Sequence, residues 1–473
     1  MKQQRYLFKV LALIMFGLFL LLAVYGGYSI FTYGNRWFSY SRNPRVRAQK
    51  ENVIAGDILD RNGVVLATTV DGKRTYQPDE AARRAVVHLL GDSQGQVSNG
   101  VETFQTRYLY GFEASLSERF NALLSGQPQR GDNVTLTIDS QLCTLIARSF
   151  AQHNPGKNGA AVVMNYKTGE LMASISLPNF DPQNITAATL ADAGQPFWNR
   201  ATQSVYPPGS SFKIITTSSA LQNIPDITTM DILCTGGLSV MNQAIRDYGN
   251  AVHNKLTLRE AFKKSCNNVF ALTAITLGDE KLRKTAEDFG FNDNFLFRDL
   301  VVENSTYPTE NRNQFELATT GIGQSALAAT PMHMCMVAAA IANDGVMMEP
   351  RLLMNVRSAT GTTRTTYQSK VYRTALPAED AATLQAYMRD VVVSGTGTRA
   401  AVPGLTICGK TGSAESSLAG SDVTYGWFVG YIENPNLPYA VSILVESIED
   451  GEGGGSTAAP VAADIFKYLR ALP

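Results

Sequence analysis

Histidine is scarce in this chain. Only four occur in 473 residues (His88, His153, His253, His333), and their scatter shows no ligand spacing. Cysteine is nearly as sparse. Five residues (Cys143, Cys234, Cys266, Cys335, Cys408) are odd in number and far apart, which fits neither a zinc motif nor a dense disulfide framework. Buried free thiols are the default reading. Charge of one sign is not in excess, with 41 Lys+Arg against 41 Asp+Glu. No basic surface for nucleic acid is implied. We therefore expect no metal, no cofactor and no nucleic-acid partner. The length exceeds one ordinary domain and allows a large core.

Long apolar runs are also lacking, save one. Residues 10–33 carry no charge and are rich in Leu, Phe, Ala and Val. At about 1.5 Å per residue such a helix crosses a bilayer core of about 30 Å. It is too long for a simple signal h-region, and no A-x-A cleavage pattern follows it. We read a single transmembrane signal anchor at 10–33 after a cytoplasmic stretch at 1–9. Lys2, Arg5 and Lys9 precede the run, and Arg36, Arg42, Arg45, Arg47 and Lys50 follow it. That count alone places the bulk inside, but long translocated domains often disregard it. Orientation is assigned below from function.

Residues 34–130 are mixed and polar. Asn62-Gly63 between apolar runs predicts a type I′ hairpin over 58–67. Helices are expected at 79–90 and 113–124. No nucleophile–base pair occurs, and we read a structural pedestal of the dimerisation type. A new unit opens at Gly131-Asp132-Asn133 and runs to residue 473. Strands are expected at 134–138, 160–164, 171–176, 405–411, 426–431 and 440–446. Helices are expected at 140–150, 258–270, 330–343, 381–393 and 459–472, with Pro460 in the first turn of the last. Strands at both ends with helices between them predict an α+β domain, an antiparallel sheet flanked by helices.

Chemistry concentrates at Tyr206-Pro207-Pro208-Gly209-Ser210-Ser211-Phe212-Lys213. Two prolines and a glycine force a turn, after which an apolar helix begins with Ser210 as N-cap or first-turn residue. Ser210 and Lys213, three apart, share one helix face. A serine needs a base to become a nucleophile, and a lysine serves only if its pKa is lowered. A helix N-terminus supplies a positive field and N–H groups for an oxyanion. The bland alternative is a capping serine beside an unrelated lysine. Ser265-Cys266-Asn267 adds a hydroxyl to relay a proton and an amide for a peptide carbonyl. Cys266 as nucleophile is the alternative there, lacking a named histidine partner. In Lys410-Thr411-Gly412-Ser413, Lys410 offers a fixed positive charge to a carboxylate and Thr411 a hydroxyl. Gly412 lets a peptide lie against the strand edge, and the Ser413 N–H joins that of Ser210 as an oxyanion hole. The same stretch from Gly404 to Thr411 also fits the phosphate-loop pattern. Its context is wrong, because the apolar strand lies inside the motif and no helical pattern follows.

S-x-x-K, S-x-N and K-T-G in this order make the chain resemble the class B penicillin-binding proteins, membrane-anchored D,D-transpeptidases of peptidoglycan synthesis. The likeness runs nearly end to end, through Gly56-Asp57-Ile58-Leu59-Asp60-Arg61, Gly321-Ile322-Gly323-Gln324, Trp427-Phe428-Val429-Gly430 and Gly453-Gly454-Gly455-Ser456. Two departures are Cys266 in the middle of S-x-N and Ser413 where threonine is usual. The earlier Lys167-Thr168-Gly169 precedes the nucleophile, so it reads as a turn between sheet strands. The resemblance implies the transpeptidase and serine β-lactamase-like fold, with Ser210, Lys213 and Ser265 catalytic. Asn267, Lys410, Thr411, Gly412 and Ser413 bind substrate. It implies as partners stem peptides ending in D-Ala-D-Ala, β-lactams, the membrane and a polytopic membrane glycosyltransferase. It places the catalytic domain on the extracytoplasmic side of a single-pass cell-membrane protein. Two other readings stay open: a non-catalytic penicillin-binding receptor or scaffold, and a β-lactam-hydrolysing enzyme of the same fold.

Overall fold

The computed structural model describes residues 2–38, 44–126, 128–310, 313–418 and 421–472. Apolar, small and β-branched residues make strands Gly159–Asn165 and Leu171–Leu177, buried on both faces. They form one end of a five-stranded antiparallel sheet, continued by Tyr439–Val445, Ser421–Ile432 and Ile407–Leu418. A sheet buried on both faces needs cover on both. Helices Ser140–His153 and Gly454–Arg470 pack together and on the sheet, as do Pro331–Ala342 and Ala378–Ser394. Pro331–Ala342 is buried over nearly its whole circumference, as its continuous apolar run requires. This is the expected α+β architecture.

A second, mixed sheet orders strands 363–366, 353–357, 133–136, 58–59, 65–70 and 73–76. Strand Asn133–Leu136 pairs parallel with Ile58–Leu59 and antiparallel with Leu353–Arg357. The expected boundary at residue 131 therefore runs beside a shared sheet. Arg83 clamps Asp181 with two bonds of 2.7 Å, tying the chain before that boundary to the chain after it. Ahead of both, helix Lys2–Phe38 contains Tyr6–Ser29, long and apolar enough to cross a membrane. The expected link into the pedestal over 39–43 lies outside the described residues.

Several elements differ from expectation. Of Asn62 and Gly63 only the glycine takes a positive φ (80°), so the turn is not type I′. Instead the buried Asp60 carboxylate accepts the Asn62 and Val64 N–H groups at 2.8 and 2.9 Å. The helix expected over 258–270 is two, Leu258–Lys264 and Asn267–Leu277. The strand expected to end at 411 runs to Leu418, paired along its length with Ser421–Ile432. The last helix begins five residues early, at Gly454, and Pro460 lies inside it rather than in its first turn. Glycine is needed at 454 because a Cβ would fall 1.8 Å from the Trp427 carbonyl oxygen.

Candidate active site

Gly209–Phe212 is a 3-10 turn that feeds directly into α-helix Lys213–Asn223. Side chains three apart eclipse in 3-10 geometry, which puts Ser210 and Lys213 on one side. The turn is held from several directions. Gly209, at φ 53°, donates its N–H to Gly323 O at 2.9 Å. A Cβ there would stand 2.3 Å from Ser413 O, so the turn lies directly on the strand carrying Lys410 to Ser413. Trp427 Nε1 donates to Pro207 O at 3.0 Å.

Lys213 is fully buried. Its Nζ donates to Ser265 O at 2.7 Å and Asn267 Oδ1 at 2.8 Å, and it lies 3.3 Å from Ser265 Oγ. Burial lowers its pKa to about 7, partly offset by Cys266 and Asp247. The neutral amine a general base requires is thus available near neutrality.

Ser265 ends helix Leu258–Lys264 in the left-handed conformation, φ 57°, which is uncommon for a residue with a side chain. The restart at Asn267 explains the break. Asp247 Oδ1 accepts the N–H groups of Asn267 and Asn268, donors that a new helix leaves without intrahelical partners. Asn267 Nδ2 donates to Arg246 O at 2.9 Å. Among the described residues this leaves one Nδ2 hydrogen for a substrate carbonyl. Asp247 was not singled out from the sequence, because nothing local marks a cap twenty residues upstream.

Lys410 comes from strand Ile407–Leu418. Its Nζ donates to Ser265 Oγ at 2.9 Å and Thr411 O at 3.0 Å. The Ser265 hydroxyl therefore stands between two lysine amines. Lys410 differs from the fixed charge expected of it: burial first, then Lys213, lowers its pKa well below the ordinary lysine value. An arriving carboxylate would favour its charged form. Thr411 Oγ1 shares a 2.5 Å hydrogen bond with Thr396 Oγ1, another partner the sequence did not reveal. Gly412 also differs. A Cβ there would meet Pro208 O at 2.9 Å and Ser211 N at 3.1 Å, so its missing side chain makes room for the serine turn. Ser413 is exposed on the same strand.

Ser210, Ser265, Asn267, Thr411, Gly412 and Ser413 line one cleft of about 890 Å³, with Asp247, Glu415 and Glu452 as its carboxylates. A cavity of similar volume between pedestal and C-terminal helix places Ser140 and Ser149 near Asp464. The Ser140 hydroxyl there is committed to Asp60 at 2.7 Å. The competing motif readings lose their footing. Cys266 is fully buried, and burial raises its thiol pKa. No helix follows Lys410-Thr411, as a phosphate loop would need. Lys167-Thr168-Gly169 lies in the turn between the paired strands Gly159–Asn165 and Leu171–Leu177.

Comparisons with known proteins bear on the family and the fold. A family model described as the penicillin binding protein transpeptidase domain matches residues 159–467. The chain is 30% identical over 459 residues to the peptidoglycan D,D-transpeptidase PbpA of Mycolicibacterium smegmatis, covering 91% of this chain and 92% of that one. It is 28% identical to stage V sporulation protein D of Bacillus subtilis, over 84% of this chain and 65% of that protein. Among solved structures, the imipenem acyl-enzyme of penicillin-binding protein A from M. tuberculosis superposes with a TM-score of 0.80 at 28% identity, covering 89% of this chain and all of that one.

Proposed function

The chain belongs to the penicillin-binding protein transpeptidase family, and we propose that it cross-links peptidoglycan stem peptides through an acyl-serine on Ser210. The observation that carries this reading is the Ser265 hydroxyl, placed 3.3 Å from Lys213 Nζ and 2.9 Å from Lys410 Nζ beside the serine turn. Ser210 Oγ attacks the carbonyl of the penultimate D-Ala while neutral Lys213 takes its proton. The backbone N–H groups of Ser210 and Ser413 face the developing oxyanion. The proton passes through Ser265 to the departing D-Ala amine. Asn267 holds the donor's amide, and Lys410 with Thr411 holds its terminal carboxylate. An amine of a neighbouring stem peptide then attacks the ester, frees Ser210 and forms the cross-link. A β-lactam opens by the same first step and stays attached.

The N-terminal helix serves as a single-pass membrane anchor, with the catalytic unit on the extracytoplasmic side where this substrate resides. Between anchor and strand Asn133–Leu136 there is too little chain for a glycosyltransferase domain. The glycan strands are supplied by a separate, polytopic membrane glycosyltransferase. Intact-protein mass spectrometry after penicillin exposure should show one adduct, mapped to the peptide containing Ser210. A donor peptide ending in D-Ala-D-Ala should release one equivalent of D-Ala as Ser210 is acylated, and more only as an acceptor amine or water frees the serine. An adduct mapped elsewhere would sink the assignment.

A further inference from the structure

One cluster of side chains beside the Ser265-Cys266-Asn267 turn has no part in acyl transfer. Cys234, Asp247, His253 and Cys266 each offer one metal-binding atom, and the four atoms lie within 4.8 Å of one another. Cys234 ends strand Ile232–Cys234, and Cys266 caps helix Asn267–Leu277. Asp247 follows strand Gln243–Arg246, and His253 precedes strand Asn254–Leu256. Four separate segments are thus brought to one point.

We propose that these four residues form a closed tetrahedral site for a single zinc ion, which holds the Ser265-Cys266-Asn267 turn in position. The spacing fits. Asp247 Oδ2 lies 3.0 Å from Cys234 Sγ, 3.3 Å from Cys266 Sγ and 3.6 Å from His253 Nδ1, and Cys234 Sγ lies 3.5 Å from His253 Nδ1. A tetrahedron with zinc bonds of about 2.0–2.3 Å has edges of roughly 3.3–3.8 Å; three of these four separations fall in that range and the Cys234–Asp247 one is shorter. The environment fits too. Both cysteines are fully buried and the Asp247 side chain is 2% exposed, so one carboxylate oxygen is crowded by two weak thiol donors and an imidazole. A cation at the centre would satisfy all four groups. The other oxygen, Oδ1, already accepts the Asn267 and Asn268 N–H groups, which fixes the carboxylate's orientation. Cys266 Sγ lies 3.5 Å from the Val269 N–H, a donor suited to a thiolate. Asp247 and His253 line the catalytic cleft, which gives the ion an entry path.

Two sulfurs, one imidazole and one carboxylate in four-coordinate geometry favour zinc over magnesium or calcium, which take oxygen donors. On binding, both thiols release their protons to solvent and no oxidation occurs. No coordination position remains open, so the ion is structural. It acts on the reaction through position, because Cys266 sits between the proton-relaying Ser265 and the amide-binding Asn267. The remaining histidines have other uses: His88 and His333 hydrogen-bond the carbonyls of Pro196 and Phe289 at 2.7 and 2.8 Å, and His153 contacts Asp464.

The test uses the full chain purified in detergent without chelator, equilibrated with Zn²⁺, desalted and analysed for metal. The expected result is one zinc per chain, with retention at least about tenfold lower in Cys234→Ser and His253→Ala. Stripping with a chelator should slow acylation by fluorescent penicillin about tenfold or more, and Zn²⁺ but not Mg²⁺ should restore it. Failure of the wild-type chain to retain zinc, with both thiols free or joined as a Cys234–Cys266 disulfide in peptide mapping, overturns the site. Zinc retained without any effect of its removal on acylation overturns the positioning role. Metal content is read independently of catalysis, so loss of the transpeptidase reading would leave this result distinguishable.

Discussion

At the scale of single residues, the question is how a lysine becomes a base. Lys213 reaches a pKa of about 7 because burial disfavours its charged form. The sign follows directly. Below the folded pKa the amine is protonated and cannot accept the Ser210 proton; above it the neutral form prevails. The rate of acylation by penicillin should therefore rise about tenfold per pH unit below that pKa and level off above it. A stopped-flow pH profile tests this, and a rate that falls on passing upward through neutrality would refute the base assignment. Lys213→Arg keeps a charge that does not titrate, so acylation should fall by about a hundredfold or more. Ser210→Ala should abolish the label altogether, while Ser211→Ala should keep it: the Ser211 hydroxyl is turned to Pro208 O at 2.6 Å. Labelling that survived in Ser210→Ala would move the nucleophile elsewhere. These candidate residues were legible because each motif is short and its members lie within a few residues of one another. The partners that tune them were not. Asp247, Thr396 and the Lys213–Lys410 opposition depend on segments that meet only after folding, and no spacing encodes them.

At the scale of elements, the two motif-bearing segments position one another. The 3-10 turn Gly209–Phe212 lies on strand Ile407–Leu418, and the absent side chain of Gly412 admits it. Gly412→Ala should push the turn away. We expect a stability loss of about 1–3 kcal/mol from overpacking, and a larger effect on function. Displacing a nucleophile by about 1 Å can cost about a hundredfold in rate. Comparing the urea midpoint with the acylation rate separates the two; loss of stability with an unchanged rate would show that the strand does not set the turn. The strands of the five-stranded sheet and the four helices packed on it were readable from apolar periodicity, with ends misplaced by a few residues, whereas the short strands over 232–256 and 346–374 were not expected. The failures have physical causes. Apolar spacing continues across Ser265, so the break made by remote capping from Asp247 could not be seen. The glycines at 453–455 look like a loop in isolation, yet close approach to Trp427 O requires glycine at the helix start.

At the scale of the whole molecule, the N-terminal apolar helix, the segment to residue 130 and the rest of the chain differ in how much the proposed chemistry needs them. Residues Tyr6–Ser29 are exposed along nearly all of the helix, whereas the three motifs lie after residue 200. Removing residues 1–38 should give a protein that needs no detergent and is acylated at the full-length rate. The pedestal is different, because its strands share a sheet with Asn133–Leu136 and Leu353–Arg357. Removing it as well should expose that sheet and lower the yield of folded protein. The truncated protein also allows the fate of the acyl-enzyme to be followed cleanly. Rapid hydrolysis needs a base that activates water beside the ester. Glu260 is exposed and committed to capping helix Leu258–Lys264, where its Oε2 accepts the Thr257 N–H at 3.0 Å. Glu415 and Glu452 line the cleft without a contact to Ser210 or Lys213 among the described residues. A site built this way keeps water unactivated while the ester waits for a bulky amine. After free penicillin is removed, the labelled enzyme should therefore persist far longer than the time of its formation. Recovery of free enzyme within one acylation time, with many drug molecules hydrolysed per site, would make the protein a β-lactamase instead.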